Sequence, residues 1–501
     1  MNKHDTSLNA WAGICGLAIV GSVCAATALG ADPVTHEVRT WTGAGDGCTW
    51  GNDANWNTQA PRSQDTAKFT QAATITSGVD IDGDRTIDID GGCTVTIAGC
   101  ISGSNKITRV GAGQLVLTGD NTFSGDLYIQ NSYVIARGEN ALSSSGEGLI
   151  TVHKENNPVD DNLVLGGVTV KKPVLIRNLN DSGNNFTRSL LCESNTVNVL
   201  EKLLTIEKSY LRMMAKGNSK LILAGGTEPK TCDFFGREAG AEVVVTNVAI
   251  THFVYSDVGA GWMTYACAGD RLRNYADAEH HRGAKEPIRT TVDGAFDSVT
   301  RFHFGLSTAL LDLCGTTQSI SRIEALTKSA TDPTPADSGI IRSATPAKMA
   351  FNWDNNAYTN SAIWEGAVTF EKNGTGSAFL TAVSTSTGEL QVVKGKLVMV
   401  AKNASEGASW AGNVSVSGGE LDLNHAKALN RKMDLSVAGD GLISIPAGVT
   451  VRCADLYVNG DLMPPGVYSD TAAMGVIVDS HFTGGGRLQS VGHPGLVLIL
   501  K

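Results

Sequence analysis

Three sets of residues in this 501-residue sequence have types and spacings that could do chemistry. The first is acidic: Asp80, Asp82 and Asp84 alternate with Ile81 and Gly83, and Asp88 and Asp90 follow. Carboxylates at this spacing offer the hard oxygen ligands that Ca²⁺ takes. The EF-hand pattern is not met, and no Glu follows at the required distance, so aspartates alternating on the outer face of a strand are the simpler account. The second set is His280-His281 with Asp277 and Glu279, which has the residue types of a metal site. Adjacent residues on a strand point to opposite faces, so the two histidines could not chelate together there, and a solvated loop suits them better. The third set is Trp41, Trp50 and Trp56, which fall within 16 residues. Indole rings so grouped either stack on sugars or pack together as a cap over the end of a core.

Other chemistry is excluded by what the sequence lacks. It has no G-x-S-x-G, no H-E-x-x-H, no phosphate-binding loop and no dinucleotide fingerprint, so no cofactor is expected. Glycoside cleavage needs a pair of carboxylates, and no spacing singles out a pair among the many aspartates. The net charge of -10 argues against binding a nucleic-acid backbone. A hydrophobic content of 42% with 18% charged residues excludes a disordered chain.

Glycine is abundant at 57 residues, whereas aromatics make up only 6%. Many tight turns need glycine, and a thin core has little room for rings. The pattern along the chain agrees. Short apolar alternations such as Gln114 to Thr118, Lys220 to Leu223 and Lys396 to Val400 are bounded by Gly, Asn, Asp, Ser or Thr. Each reads as a strand of four to six residues with a turn beside it. Residues 101–136 also align without gaps to residues 364–399, at an offset of 263. Gly103 falls on Gly366, Gly111 on Gly374, Gly113 on Gly376, Gly125 on Gly388, Arg109 on Lys372, Ile129 on Val392 and Val134 on Leu397. Units too small to bury their own core must stack on neighbours. The expected fold is therefore all-β, a parallel β-helix (solenoid) with an N-terminal cap and about 20 to 25 residues per coil. Tandem β-sandwich domains are the alternative with the same turn spacing.

Residues 1–30 read as a secretory signal peptide. Lys3 precedes an apolar run from Trp11 to Ala26, and Ala28-Leu29-Gly30 supplies small residues before a cleavage point at Ala31. No other segment is long and apolar enough to span a membrane, so the mature chain is expected to be secreted or at the cell surface after passing the export machinery. Eight cysteines remain after cleavage, with no C-x-x-C pair; disulfides and buried thiols both fit. The remaining chain divides into a cap with first strands (31–95), repeats (96–251), an irregular island (252–305), further repeats (306–453) and a C-terminal capping region (454–501). The island holds Arg271, Arg273 and His280, and protruding loops of this kind are where binding functions tend to sit.

The unit from Ile101 to Gly125 contains Arg109-Val110-Gly111-Ala112-Gly113-Gln114-Leu115-Val116-Leu117-Thr118-Gly119 and then Asn121-Thr122-Phe123-Ser124-Gly125. It closely resembles the autotransporter-associated β-strand repeat, in which a Lys-x-Gly-x-Gly-x-Leu-x-Leu-x-Gly strand precedes an Asn-Thr-Tyr-x-Gly turn. The copy at Lys372-Asn373-Gly374-Thr375-Gly376 keeps the opening but reads Ser384-Thr385-Ser386 at the turn. Leu311-Asp312-Leu313-Cys314-Gly315 resembles a companion unit, with Cys314 where Asn is usual. The resemblance implies a secreted right-handed β-helix on or near a bacterial surface, and it implies no reaction. The apolar tip from Pro494 to Lys501 is too short to span and reads as a last capping strand or a recognition tag. The function expected from all this is structural or adhesive: a rigid β-helical element presenting loops to polysaccharide or cell-surface components. A secreted polysaccharide-active β-helix enzyme is the alternative.

Overall fold

Strand Arg85–Ile89 shows the local rule from which the molecule is built. Arg85, Ile87 and Ile89 are buried, while Thr86 and Asp88 between them face outward. A strand with one buried face must find a neighbour, and the neighbour here is the same face of the next coil. Ile107 pairs with Leu127, Leu127 with Ile150 and Ile150 with Val174, each in parallel register and 20 to 24 residues on. Parallel neighbours so close in sequence require the chain to travel once around and return above itself.

The computed structural model describes residues 36–493, apart from 155–161, 179–187, 208–210, 229–231, 237–239, 248–261, 268–286, 297, 299–300, 305–309, 326, 330–331, 336–338, 355–356 and 404–405. Its long sheets have nine, eight, fifteen and six strands. Every pairing along the nine- and eight-stranded sheets is parallel, which excludes the antiparallel sandwiches. Among the described residues the sole helix is the 3-10 turn Asp53–Asn55. The protein is thus an all-β parallel solenoid.

Its interior is a set of columns running from coil to coil. One passes through Ala67, Ile87, Arg109, Ile129, Val152, Ile176 and Ile206. Another passes through Ile75, Ile97, Leu117, Ala136, Leu165, Cys192 and Ala215. In the C-terminal half Phe351, Lys372, Val392, Val416, Val437 and Val458 align in the same way. Two columns therefore each contain one cation, Arg109 or Lys372, and both side chains are fully buried. Carbonyl oxygens hold them: Arg109 donates to Gly113 O and Ile87 O, and Lys372 to Gly374 O and Lys394 O. Burial pushes the Arg109 guanidinium down to about 10 and the Lys372 ammonium down to about 8.

Within the stretch 252–305, expected to be an irregular island, the described strands are coils of the same stack. Val243, Met263, Ile288, Leu311 and Ile341 follow one another in a column, so strands Trp262–Tyr265 and Ile288–Thr290 continue the long sheet. The long polar stretch between these strands masks the alternation of so short a pair. At the C-terminal end the parallel order stops. Strand Gly466–Ser469 runs antiparallel to Arg487–Ser490, which itself pairs with Thr450–Cys453, and this small mixed sheet closes that region of the stack.

Coils that lie this close leave no room for a side chain at certain corners. Gly103 has φ +106°, and a Cβ there would run into the carbonyl of Ile81 one coil below; Gly366 has φ +72° and would meet Ser343 in the same way. The described cysteines are free thiols. Two of them are buried in the stack, and burial raises both Cys192 and Cys453 to about 12.

Candidate binding surface

Of the two readings of the tryptophan cluster, sugar stacking or a packed cap, the rings take the second and turn inward. Trp41, Trp50 and Trp56 are all buried, with ring centroids 5.0 Å (Trp41–Trp56) and 5.1 Å (Trp50–Trp56) apart, and all three pack on Phe69. Trp56 donates its indole N–H to Trp50 O at 2.7 Å, which satisfies its one polar atom. Asn55, also buried, ties the loop above them: it accepts from Gly45 N and Gly47 N and donates to Asp46 and to Thr49 O. The Asn55 amide, with the Cys48 and Thr49 amides, holds the Asp46 carboxyl well below its usual range. These residues therefore cover the first coil and present no ring face to a ligand.

Asp80, Asp82 and Asp84 are exposed and point away from the core, alternating with buried Val79, Ile81 and Arg85. Each has a different partner. Asp80 accepts from Ser102 Oγ at 3.0 Å, Asp82 from Arg85 Nη2 at 2.7 Å, and Asp84 from Lys106 N at 3.1 Å. Their oxygens are not brought together around one point. Arg271, Arg273 and His280 lie outside the described residues.

The convergent polar surface is at the other end, where one structural device recurs. At several coils, the residue preceding a strand of one face uses its side-chain oxygen to accept an amide from the coil above. Asn413 Oδ1 accepts from Asp434 N at 3.0 Å, Asp434 Oδ1 from Asp455 N at 3.3 Å, and Asp455 Oδ1 from His493 N at 3.3 Å. In the N-terminal half Asp84 and Asp126 do the same for Lys106 N and Leu149 N. Such a ladder satisfies amides that lie outside the strand pairing.

At its end the ladder gathers three ligand-type groups. His493 Nε2 lies 2.9 Å from Asp434 Oδ1 and 3.7 Å from Asp455 Oδ2. Among the described residues, Asp434, Asp455 and His493 are the group whose donor atoms all fall within 4.8 Å of one another, and they are the residues that could hold a divalent ion. Sequence reasoning could not pair His493 with residues 38 and 59 positions away.

Beside the ladder is a groove of about 490 Å³, lined by Thr387, Glu389, Asn413, Asn430 and Lys432 together with Ala411, Gly412 and Met433. Side-chain amides, a hydroxyl, a carboxylate and an ammonium suit the hydroxyl groups of a sugar. A separate cluster sits on the outer face of neighbouring strands Gly395–Met399 and Gly419–Leu423. There Lys396 Nζ bridges Glu420 at 3.1 Å and Asp422 at 2.7 Å. Burial raises the Asp422 carboxyl, against the lowering effect of Lys396, and Glu420 adds to the rise. A carboxyl with a raised pKa next to a second carboxylate has the composition of an acid–base pair.

No protein-family model, curated protein or solved structure matches this chain.

Proposed function

We propose that this chain is an exported surface protein. Its solenoid acts as a passive scaffold that holds polar grooves and loops out to carbohydrate or to another surface. The single observation that carries this reading is the parallel stack itself, in which register pairs succeed one another from Val38 to Leu456. The signal-like residues 1–30 and the likeness of residues 101–125 to autotransporter-associated repeats support export to a bacterial surface. The polar groove at Glu389, Asn413 and Asn430 supports contact with sugar hydroxyls.

A second reading rests on the Lys396–Glu420–Asp422 cluster, which would suit a polysaccharide-active enzyme. One experiment separates the two. The chain is expressed with its first 30 residues, the cell fractions are probed, and the mature protein is incubated with a panel of polysaccharides. Export, retention on a polysaccharide and no release of shorter products are expected. Release of oligosaccharides by the wild type, abolished in Asp422→Asn, would overturn the passive reading.

A further inference from the structure

We infer that a second groove, on the other side of the loop after strand Gly419–Leu423, binds a segment of an acidic glycan. It rests on the carbohydrate-contact reading above and narrows it to one class of chain. The groove has a volume of about 420 Å³ and is lined by Ala426, Lys427, Leu429, Arg431, Thr450 and Arg452. Three of these six residues are cationic and none is acidic, in a chain whose net charge is -10. Lys427 and Arg431 enter no ion pair with any of the described residues, so their charges face solvent uncompensated. Arg487 stands opposite Thr450 in the neighbouring strand and adds a fourth cation beside the groove.

Gathering like charges in a concave surface raises their mutual repulsion, and an anion that enters relieves it. The groove is also pre-formed. Trp410 and Leu429 form a bridge, Trp410 N donates to Ala428 O at 3.2 Å, and His425 lies 2.7 Å from Ala408 O, so the loop bearing Lys427 and Arg431 is tied to the coil below. Arg452 is aimed by Gln489, whose Oε1 accepts from its Nε at 3.0 Å, which leaves its two terminal nitrogens for a ligand. Two guanidinium groups suit carboxylate or sulfate groups in a bidentate manner, while exposed Ala426 and the Thr450 methyl offer apolar surface to a sugar ring. Three cations in one short groove suit a few acidic groups on a sugar chain, and an overall negative protein disfavours the dense phosphate array of a nucleic acid.

The test measures binding of the mature full chain to an oligogalacturonate, a heparin-derived hexasaccharide, a neutral maltohexaose and a short single-stranded DNA. Binding of one acidic glycan is expected, weakened by salt, and whichever of the first two binds more tightly identifies carboxylate or sulfate as the recognised group. The double variant Arg431→Gln/Arg452→Gln should lose about ten-fold or more in affinity, since each removes a charged hydrogen bond. Its urea midpoint should match the wild type, and Lys106→Gln, an exposed cation outside both grooves, should bind as the wild type does. Equal binding of maltohexaose and the acidic glycans, undiminished in the double variant, would overturn this site while leaving general carbohydrate contact standing. Absence of binding to every glycan would overturn both, and DNA binding tighter than any glycan would overturn the assignment of ligand class.

Discussion

In the first copy of the internal repeat, Ile101 and Phe123 fill the interior at one corner of successive coils; in the second, Trp364 and Ser386 occupy the same two positions. The large ring has moved from one coil to its neighbour. Trp364 packs 5.2 Å from Phe370 and 6.0 Å from Trp410, and Ser386 turns its hydroxyl to Val368 O at 2.7 Å. The polar member of the turn changes in step. Asn121 accepts from Ile101 N and donates to Ala141 O, both at 2.7 Å, and so ties three coils; Ser384 Oγ donates to Trp364 O at 3.2 Å and accepts from Ser386 N two residues on, also at 3.2 Å, and so reaches only one neighbouring coil. The two copies nevertheless keep one register, since Ile107–Leu127 and Phe370–Leu390 are equivalent pairs, as are Leu117–Ala136 and Leu380–Met399. Register and backbone path are preserved, while the coil that supplies the large ring differs.

The comparison can be broken most sharply at the rings. Phe123→Ala and Trp364→Ala should each cost about 3–5 kcal/mol, whereas Ser386→Ala should cost about 1 kcal/mol. Urea unfolding measures all three, and a Ser386→Ala loss as large as that of Phe123→Ala would refute the exchange of roles. Next in size are the turn polar groups. Asn121→Ala should cost about 2 kcal/mol and Ser384→Ala about 1 kcal/mol. Hydrogen exchange at the Ile101 amide should speed up in Asn121→Ala, because that amide loses its acceptor.

The smallest effect distinguishes the buried cations. Below about pH 8 Lys372 is protonated both folded and unfolded; above that value the folded chain releases its proton first. The unfolded state then binds more protons, so stability rises with pH from about 8 toward the ordinary lysine value, by at most about 1.4 kcal/mol per pH unit. Lys172, buried against Gly125 O and likewise lowered to about 8, contributes in the same direction. Between pH 7.5 and 9.5 Lys372→Arg should gain less stability than the wild type and Arg109→Lys should gain more. Equal gains in all three proteins would show that burial lowers a lysine at neither position.

Much of this architecture is written locally. Period-two alternation at Arg85–Ile89 or Gln114–Leu117 needs no partner to be read, and the 263-residue self-match locates the glycines at coil corners before any coordinate is known. The same alignment paired Arg109 with Lys372 but could not say which way they point. A cation at an inward position contradicts the usual preference of charged groups for water, and only the turn carbonyls that receive it make the position tolerable. The tryptophans were legible as a cluster with two readings, a sugar platform or a packed cap, and the contact that decides for the cap is with Phe69 on the next strand. The cationic groove was not legible at all: Lys427 and Arg431 meet Arg452 only because the chain completes a coil between them.

The ladder of side-chain oxygens has a consequence for how such a molecule can change length. Asn413, Asp434 and Asp455 each precede the strand that stacks on the last, at Val414, Leu435 and Leu456. Each offers an acceptor upward and takes a donor position from below, so the joints are interchangeable. Excising residues 414–434 would set the Asp455 amide over the Asn413 oxygen, rebuilding the joint that was removed. Insertions and deletions of one whole circuit are therefore neutral at the seam, whereas a change of a single residue within a strand turns the rest of that strand's side chains out of their columns. Size in this protein is quantised, and its evolution should proceed by counting circuits.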